Sequence, residues 1–186
     1  MTSEKTEKAK SGGDSKMNEE ILDATAGGRG IWLKNQKDRE DVLFIDKREE
    51  DPGFTGQEGR TWSIEPDETE DFRDLPYGDE TFNLVVFDPP HKITDEGMEK
   101  LTGYVEKSYG ALKANSWRSD IRQGFEELFR VLKPGGVLVF KFSNYDVDFK
   151  EVLKLAPMDP LFGTTTKKNS KCENRWFVFY KSEVES

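Results

Sequence analysis

Cysteine and histidine each occur once in the 186 residues, as Cys172 and His91. A single cysteine excludes an internal disulfide framework and makes a reducing, cytoplasmic setting the default expectation. One residue of each type also excludes the usual Cys/His zinc clusters, so no metal is expected. No stretch approaches the roughly 18 consecutive apolar residues of a membrane span. Apolar residues make up only 34% of the chain, which is low for a globular protein. The shortage is concentrated in residues 1–16, "MTSEKTEKAKSGGDSK", which hold almost nothing that could pack and read as a disordered leader. That leader lacks the apolar stretch of a secretory signal. Basic charge is also scarce: 28 Lys and Arg face 37 Asp and Glu, for a net charge of −9. The acidic excess is densest in residues 38–80, whereas residues 163–181 are basic through Lys167, Lys168, Lys171, Arg175 and Lys181. A nucleic-acid binder usually carries a basic footprint, and only this C-terminal stretch offers one.

What is present is an alternation of apolar runs and helical patterns. "ILDATAG" (21–27), "DVLFID" (41–46), "NLVVFD" (83–88) and "VLVFKFS" (137–143) read as buried strands. "GRGIWLKNQKD" (28–38) reads as a turn followed by a helix, and "DFKEVLKLA" (148–156) as another helix. Ile121, Phe125, Leu128, Phe129 and Leu132 recur at helical spacing within residues 118–133, and "PGG" (134–136) stops that helix. Residues 51–60 form a loop, 60–66 are ambiguous between strand and loop, and 95–115 are partly helical. "PLFGTTTK" (160–167) and "RWFVFYK" (175–181) pair as a closing hairpin. The expected fold is α/β, a Rossmann-like, mostly parallel sheet with a C-terminal antiparallel hairpin and helices on both faces. Residues 17–186 form one domain, with 92–120 as a lid insertion.

Ligands of such sheets sit beyond the carboxyl ends of the strands. The first such end is "DATAGGRG", where Gly27, Gly28 and Gly30 permit a tight turn and close backbone approach. Asp46 closes the second strand, at a distance suited to ribose hydroxyls. The spacing is not the G-x-G-x-x-G of a dinucleotide site, and Asp23 just before the glycines would repel a pyrophosphate. A carboxylate there suits a ligand with an ammonium group, such as S-adenosylmethionine. Asp74, in "FRDLPY", is positioned to accept from an adenine amino group. With Ala24, Thr25 and Ala26 of the turn, and Lys47 and Leu75 beside the second and third acidic positions, these residues form the candidate cofactor set.

The strand at 83–88 runs into "DPPH", residues 88–91. An exocyclic amine is a poor nucleophile because its lone pair is delocalised. Two acceptors holding its two protons would favour the reactive geometry. Asp88 supplies a carboxylate and Pro89 a carbonyl, which Pro89 and Pro90 hold in a restricted backbone. His91 is a flat ring suited to stacking, and an ordinary histidine titrates near neutral pH. A base within a duplex would have to be flipped out to reach such a clamp.

The runs "ILDATAGGRGIW", "VLFIDKRE", "DFRDLPYGDETFNLVVFDPPH", "YGALKANSW", "GFEELFRVLKPGGVLVFKFS", "PLFGTTT" and "RWFVFYK" resemble class I S-adenosylmethionine-dependent methyltransferases carrying the [DNS]PP[YFWH] amino-methylation motif. Among these the chain is most similar to small stand-alone enzymes of bacteriophages and prophages. The resemblance covers residues 21–181 and implies a seven-stranded sheet with the cofactor over the first glycine turn. The broader class includes DNA adenine-N6 and cytosine-N4 methyltransferases, so a nucleic-acid base is the favoured substrate, adenine N6 first and cytosine N4 second, although the resemblance to the small group does not itself settle the substrate. RNA, a protein amide, a small molecule, or cofactor binding without catalysis stay open. Position 91 is His where many such enzymes have Tyr, Phe or Trp, so Tyr77, Tyr104, Tyr109 or Trp117 are alternative stackers. A separate target-recognition domain is missing. Sequence-specific contact with DNA would come from the 92–120 insertion, from the basic hairpin with Lys167, Lys168, Lys171 and Arg175, from a partner, or not at all.

Overall fold

The carboxylate at position 88 sits where the sheet reverses its winding. The computed structural model describes residues 20–164 and 172–183. In chain order its strands are β1 (Ile21–Asp23), β2 (Val42–Asp46), β3 (Glu68–Thr69), β4 (Phe82–Phe87), β5 (Ile93–Thr94), β6 (Leu112–Lys113), β7 (Leu132–Ser143), β8 (Phe162–Gly163) and β9 (Asn174–Tyr180). Seven of them form one sheet in the order β3-β2-β1-β4-β7-β9-β8, while β5 and β6 pair separately within the 92–120 insertion. The first five strands of the large sheet run parallel. Strand β9 is antiparallel to β7, and β8 is antiparallel to β9. The seven-stranded, mostly parallel sheet with an antiparallel C-terminal end is therefore as expected. The chain winds from β1 to β2 on one side and returns to β4 on the other. The crevice at such a switch point is the usual ligand site of an open α/β sheet.

One face of the sheet carries the main core. Helix α2 (Trp117–Val131) lays Ile121, Phe125 and Leu128 against it, each fully buried. Helix α3 (Phe149–Leu153) adds Phe149 and Val152, and the Asp148 side chain caps it by accepting from the Lys150 N–H at 2.8 Å. Phe125 packs against Phe87, Phe140 and Phe179 with ring centroids 5.0–5.8 Å apart. Each phenylalanine taken fully from water contributes about 1.5–3 kcal/mol. Helix α2 stops at Val131, two residues before the lysine that Pro134 holds out of helical geometry.

The other face departs from expectation. Residues 28–38 form successive turns and one 3-10 turn (Lys34–Gln36) in place of a helix. Ile31, Trp32 and Leu33 are consecutive and give no apolar stripe at helical spacing. Trp32 instead packs edge-on against Phe44, centroids 5.1 Å apart, and Leu33 is exposed. Both α2 and α3 lie on the phenylalanine-rich face, so among the described residues these two helices do not cover both sides, contrary to the expected arrangement. Beyond β4 the second face bears half-buried Val137, Val139 and Val178, with Phe162, Trp176 and Tyr180 exposed.

Candidate functional site

Asp23, Asp46 and Asp88 stand at the carboxyl ends of three adjacent strands, β1, β2 and β4. The turn after β1 is tied to both neighbours. The Ala24 N–H donates to Val86 and the Ala26 N–H to Ile45. The Asp88 N–H donates to Thr25 Oγ1 at 2.8 Å, and the Gly27 N–H to Asp46 Oδ2 at 2.9 Å. Gly27 has φ +50, in the region that favours glycine. A Cβ on Gly28 would come within 2.6 Å of the Trp62 ring, so only glycine admits that ring against the turn.

Above the turn lies a cavity of about 650 Å³, within the range of small-molecule sites. Ala24, Thr25, Ala26, Gly27, Gly28, Gly30, Asp46, Lys47, Asp88, Pro89, Pro90 and His91, all among the candidate residues, line it. Three expected residues lie elsewhere. Asp23 is sealed beneath the turn, fully buried, accepting from Trp32 Nε1 at 2.6 Å and from the Thr25 N–H at 3.2 Å. Burial pushes its carboxyl up to about 7. Asp74 turns away, and the Leu75 side chain is core, its N–H donating to Glu127 Oε2 at 3.1 Å. Their neighbours Asp71 and Phe72 reach the cavity instead. Burial opposes the Asp71 charge, but hydrogen bonds from Arg73 and Lys47 outweigh it and hold this carboxyl well below the usual range.

The 92–120 segment forms one wall, contributing Glu96, Met98, Tyr104, Ser108, Tyr109 and Lys113. Helix α1 (Tyr104–Tyr109) is pinned at its end by Arg48, whose Nη1 donates to the Lys107 carbonyl at 2.7 Å. Arg48 also donates its backbone N–H to Asp46 Oδ1 at 2.9 Å, so the second strand end and the insertion are joined. Of the alternative stackers, Tyr104 and Tyr109 face the cavity. Tyr77 packs on Phe82 with its hydroxyl on Glu68, and Trp117 is buried in the core. Arg175 pairs with Glu173 at 2.7 Å, while Lys167, Lys168 and Lys171 lie outside the described residues.

Sequence reasoning missed Lys141. Strand β7 pairs Phe140 with Phe87, which sets Lys141 beside Asp88, and its Nζ lies 2.6 Å from Asp88 Oδ2. A lysine inside the otherwise apolar run "VLVFKFS" was the available signal. Burial raises the Asp88 carboxyl, with Lys141 opposing. Burial, reinforced by the Lys141 cation, pushes His91 down to about 3. His91 is therefore neutral at pH 7 and does not titrate near neutrality as expected. Its ring meets Phe142 edge-on at 5.3 Å, and its Nε2 stands 3.4 Å from Asp88 Oδ1.

Among the described residues three buried side-chain polar atoms have no hydrogen-bond partner: Asp88 Oδ1, His91 Nδ1 and Ser108 Oγ. All three residues line this one cavity. Unpartnered buried polar groups are costly, and their convergence marks a place where a ligand supplies the missing partners. Among the described residues no group of His, Cys, Asp or Glu could hold a metal ion, and no helix is long and apolar enough to cross a membrane.

No protein-family model matches the chain, and no curated protein matches it. Solved structures do. The PH0226 protein of Pyrococcus horikoshii OT3 superposes with a TM-score of 0.51 at 14% identity, covering 88% of this chain and 81% of that one. N-methyltransferase NodS of Bradyrhizobium japonicum WM9 gives 0.49 at 17% identity, covering 88% and 84%. A SAM-dependent methyltransferase of Methanosarcina mazei gives 0.47 at 12%, covering 87% and 92%. The first of these likenesses shows a shared fold.

Proposed function

We propose that the chain is an S-adenosylmethionine-dependent methyltransferase acting on an exocyclic amine of a nucleic-acid base, DNA adenine N6 foremost and cytosine N4 second. The observation that carries this reading is the convergence of Asp88 Oδ1, His91 Nδ1 and Ser108 Oγ, each buried and unpartnered, on a cavity floored by the glycine turn. The motif resemblance and the switch-point position of the cavity support it.

The residues present fit the cofactor. Gly27 and Gly28 put no Cβ into the cavity, and the Trp62 ring lies against Gly28. Asp46 spends one lone pair of each oxygen on the Gly27 and Arg48 N–H groups, and a carboxylate retains others for ribose hydroxyls. Asp71 and Phe72 replace Asp74 and Leu75 as the candidates for the adenine end. When bound, the cofactor would supply an electrophilic methyl on a sulfonium, a leaving group able to take the C–S electron pair. Asp88 Oδ1 accepts one N–H of the substrate amine and the Pro89 carbonyl the other, and Pro90 fixes that carbonyl by restricting the backbone. Neutral His91 lends an uncharged ring edge with Nδ1 open as acceptor. Asp88 or water takes the proton released once the nitrogen is alkylated. The 92–120 wall closes this chemistry off from bulk water.

Labelled-methyl transfer into unmodified DNA, RNA and protein, followed by nucleoside mass spectrometry, tests the reading. Asp88→Ala is expected to lower turnover by about 10²-fold or more. Full activity in that variant would overturn the mechanism, and methylation of a protein amide alone would overturn the substrate class. A second reading, a carboxamide or small-molecule amine, is favoured by the net charge of −9. The same clamp suits any planar NH₂.

A further inference from the structure

The ion pair between Asp88 and Lys141 divides the carboxylate into two unlike oxygens. Oδ2 is held by the Lys141 ammonium at 2.6 Å, with both side chains less than one-fifth exposed. Oδ1 is buried and accepts no hydrogen bond. Other groups around Asp88 do not compete for it. His91 Nε2 is 3.4 Å away and makes no hydrogen bond to it. Asp23, close enough to interact electrostatically, spends its own oxygens on Trp32 and Thr25. The pair is set by the fold: β4 and β7 are hydrogen-bonded neighbours in register up to Phe87 and Phe140, one residue before the two charges.

Candidate amine substrates divide by charge. An alkylammonium carries a positive charge at neutral pH and gains most from a bare carboxylate. A planar amide or exocyclic amine is neutral and asks only for an oriented acceptor. Here the carboxylate charge is already compensated, so an incoming cation meets Lys141 as a like charge in a site with little water to screen it. Resting on the methyltransferase reading, we infer that Lys141 is a positioning residue: it holds Asp88 through Oδ2, leaves Oδ1 as the unpartnered acceptor beside the cavity, and restricts the site to uncharged N–H donors, excluding alkylammonium substrates.

Three readouts on the full chain test this, using Lys141→Met and Lys141→Arg. The first is the Asp88 carboxyl titration followed by carbon NMR. The carboxylate loses its compensating cation in Lys141→Met, so its midpoint is expected to rise, and Lys141→Arg is expected to restore it. The second is turnover on a single-stranded adenine-containing oligonucleotide. The acid limb of kcat/KM should move to higher pH in Lys141→Met, because the accepting form of Asp88 is then lost earlier on acidification, and kcat should fall by about tenfold or more. The third is calorimetric binding of butylammonium, expected to be undetectable for the native chain and measurable for Lys141→Met. Calorimetry with S-adenosylhomocysteine on the same samples monitors the cofactor site. An unmoved Asp88 midpoint and acid limb with that binding intact would overturn the inference, as would methylation of butylamine by the native chain. Failure of the native chain to bind S-adenosylhomocysteine, with the Asp88 shift as expected, would overturn the methyltransferase reading and leave the role of Lys141 in holding Asp88 standing.

Discussion

Asp23 illustrates how a single residue changes meaning between sequence and fold. In sequence it is a carboxylate ahead of a glycine turn and reads as a ligand contact. In the fold it is the turn's buried anchor, held by the Trp32 indole and the Thr25 N–H. Nothing in the sequence distinguishes a carboxylate above a turn from one below it, because the difference lies in where Trp32 lands. Asp71 and Asp74 pose the same problem: both belong to one acidic run, and in the turn closed by the Asp74 N–H bond to the Asp71 carbonyl it is Asp71 that lines the cavity while Asp74 is exposed. Asp88, by contrast, was legible because two prolines fix the backbone after it. The buried state of Asp23 has a consequence for stability. Its folded pKa of about 7 lies above the unfolded value of 3.8, so the folded state binds the proton more tightly. The favourable contribution is complete below pH 4 and is lost as pH rises through 7. Asp23 alone should therefore lower stability by about 2–3 kcal/mol between pH 5 and 8. Urea unfolding across that range should show the decline, and Asp23→Asn should flatten it. An equal slope in the variant would assign the decline to other groups.

At the scale of elements, strands and α2 were readable because burial on both sides demands continuous apolar runs and one-sided burial demands 3.6-residue spacing. The segment after β1 was misread as a helix because a glycine turn followed by an apolar triplet resembles a helix start. Its apolar residues are adjacent and not spaced, so they serve as plugs, Trp32 against Phe44. Helix α2 carries a subtler device. Gly124 faces the sheet, and a Cβ there would stand 2.6 Å from the Phe72 ring and 3.4 Å from Phe87. In an open helix, Gly→Ala would stabilise by about 1 kcal/mol. Here the ring must move, and overpacking of this kind costs about 1–3 kcal/mol. Gly124→Ala is thus expected to destabilise by up to about 2 kcal/mol net. Phe72 also lines the cavity, so its displacement should weaken S-adenosylhomocysteine binding as well. A thermal melt and a calorimetric titration on the same variant would check both, and a stabilised variant would show that Phe72 yields freely.

Over the whole molecule, the parallel sheet and its switch point followed from the alternation of strands and helices, but the uneven cover of its two faces did not. Sparse apolar residues in 28–38 and 47–66 cannot build a helical layer, so loops with Trp32, Trp62 and Ile64 take its place. The same economy of apolar and basic surface bears on the substrate. The chain is net acidic, and most of the basic side chains at the cavity are committed: Arg48 to the Lys107 carbonyl, Arg73 to Asp71 and Asp120, Lys47 to Asp71. Arg60, lying over the Tyr104 ring at 5.3 Å, is the better-placed phosphate contact. A nucleic-acid substrate would then be gripped through few phosphates, by base stacking and the Asp88 clamp more than by charge. A flipped-out base needs less work to reach from a single strand than from a duplex. Single-stranded adenine-containing oligonucleotide should therefore bind more tightly than duplex, with a shallow salt dependence equivalent to about one to three phosphates at a slope of roughly −0.7 each. Fluorescence anisotropy between 50 and 300 mM salt measures it. A flat response would remove phosphate from the recognised group and favour a carboxamide or small-molecule amine, since those reach the same clamp without a backbone to hold.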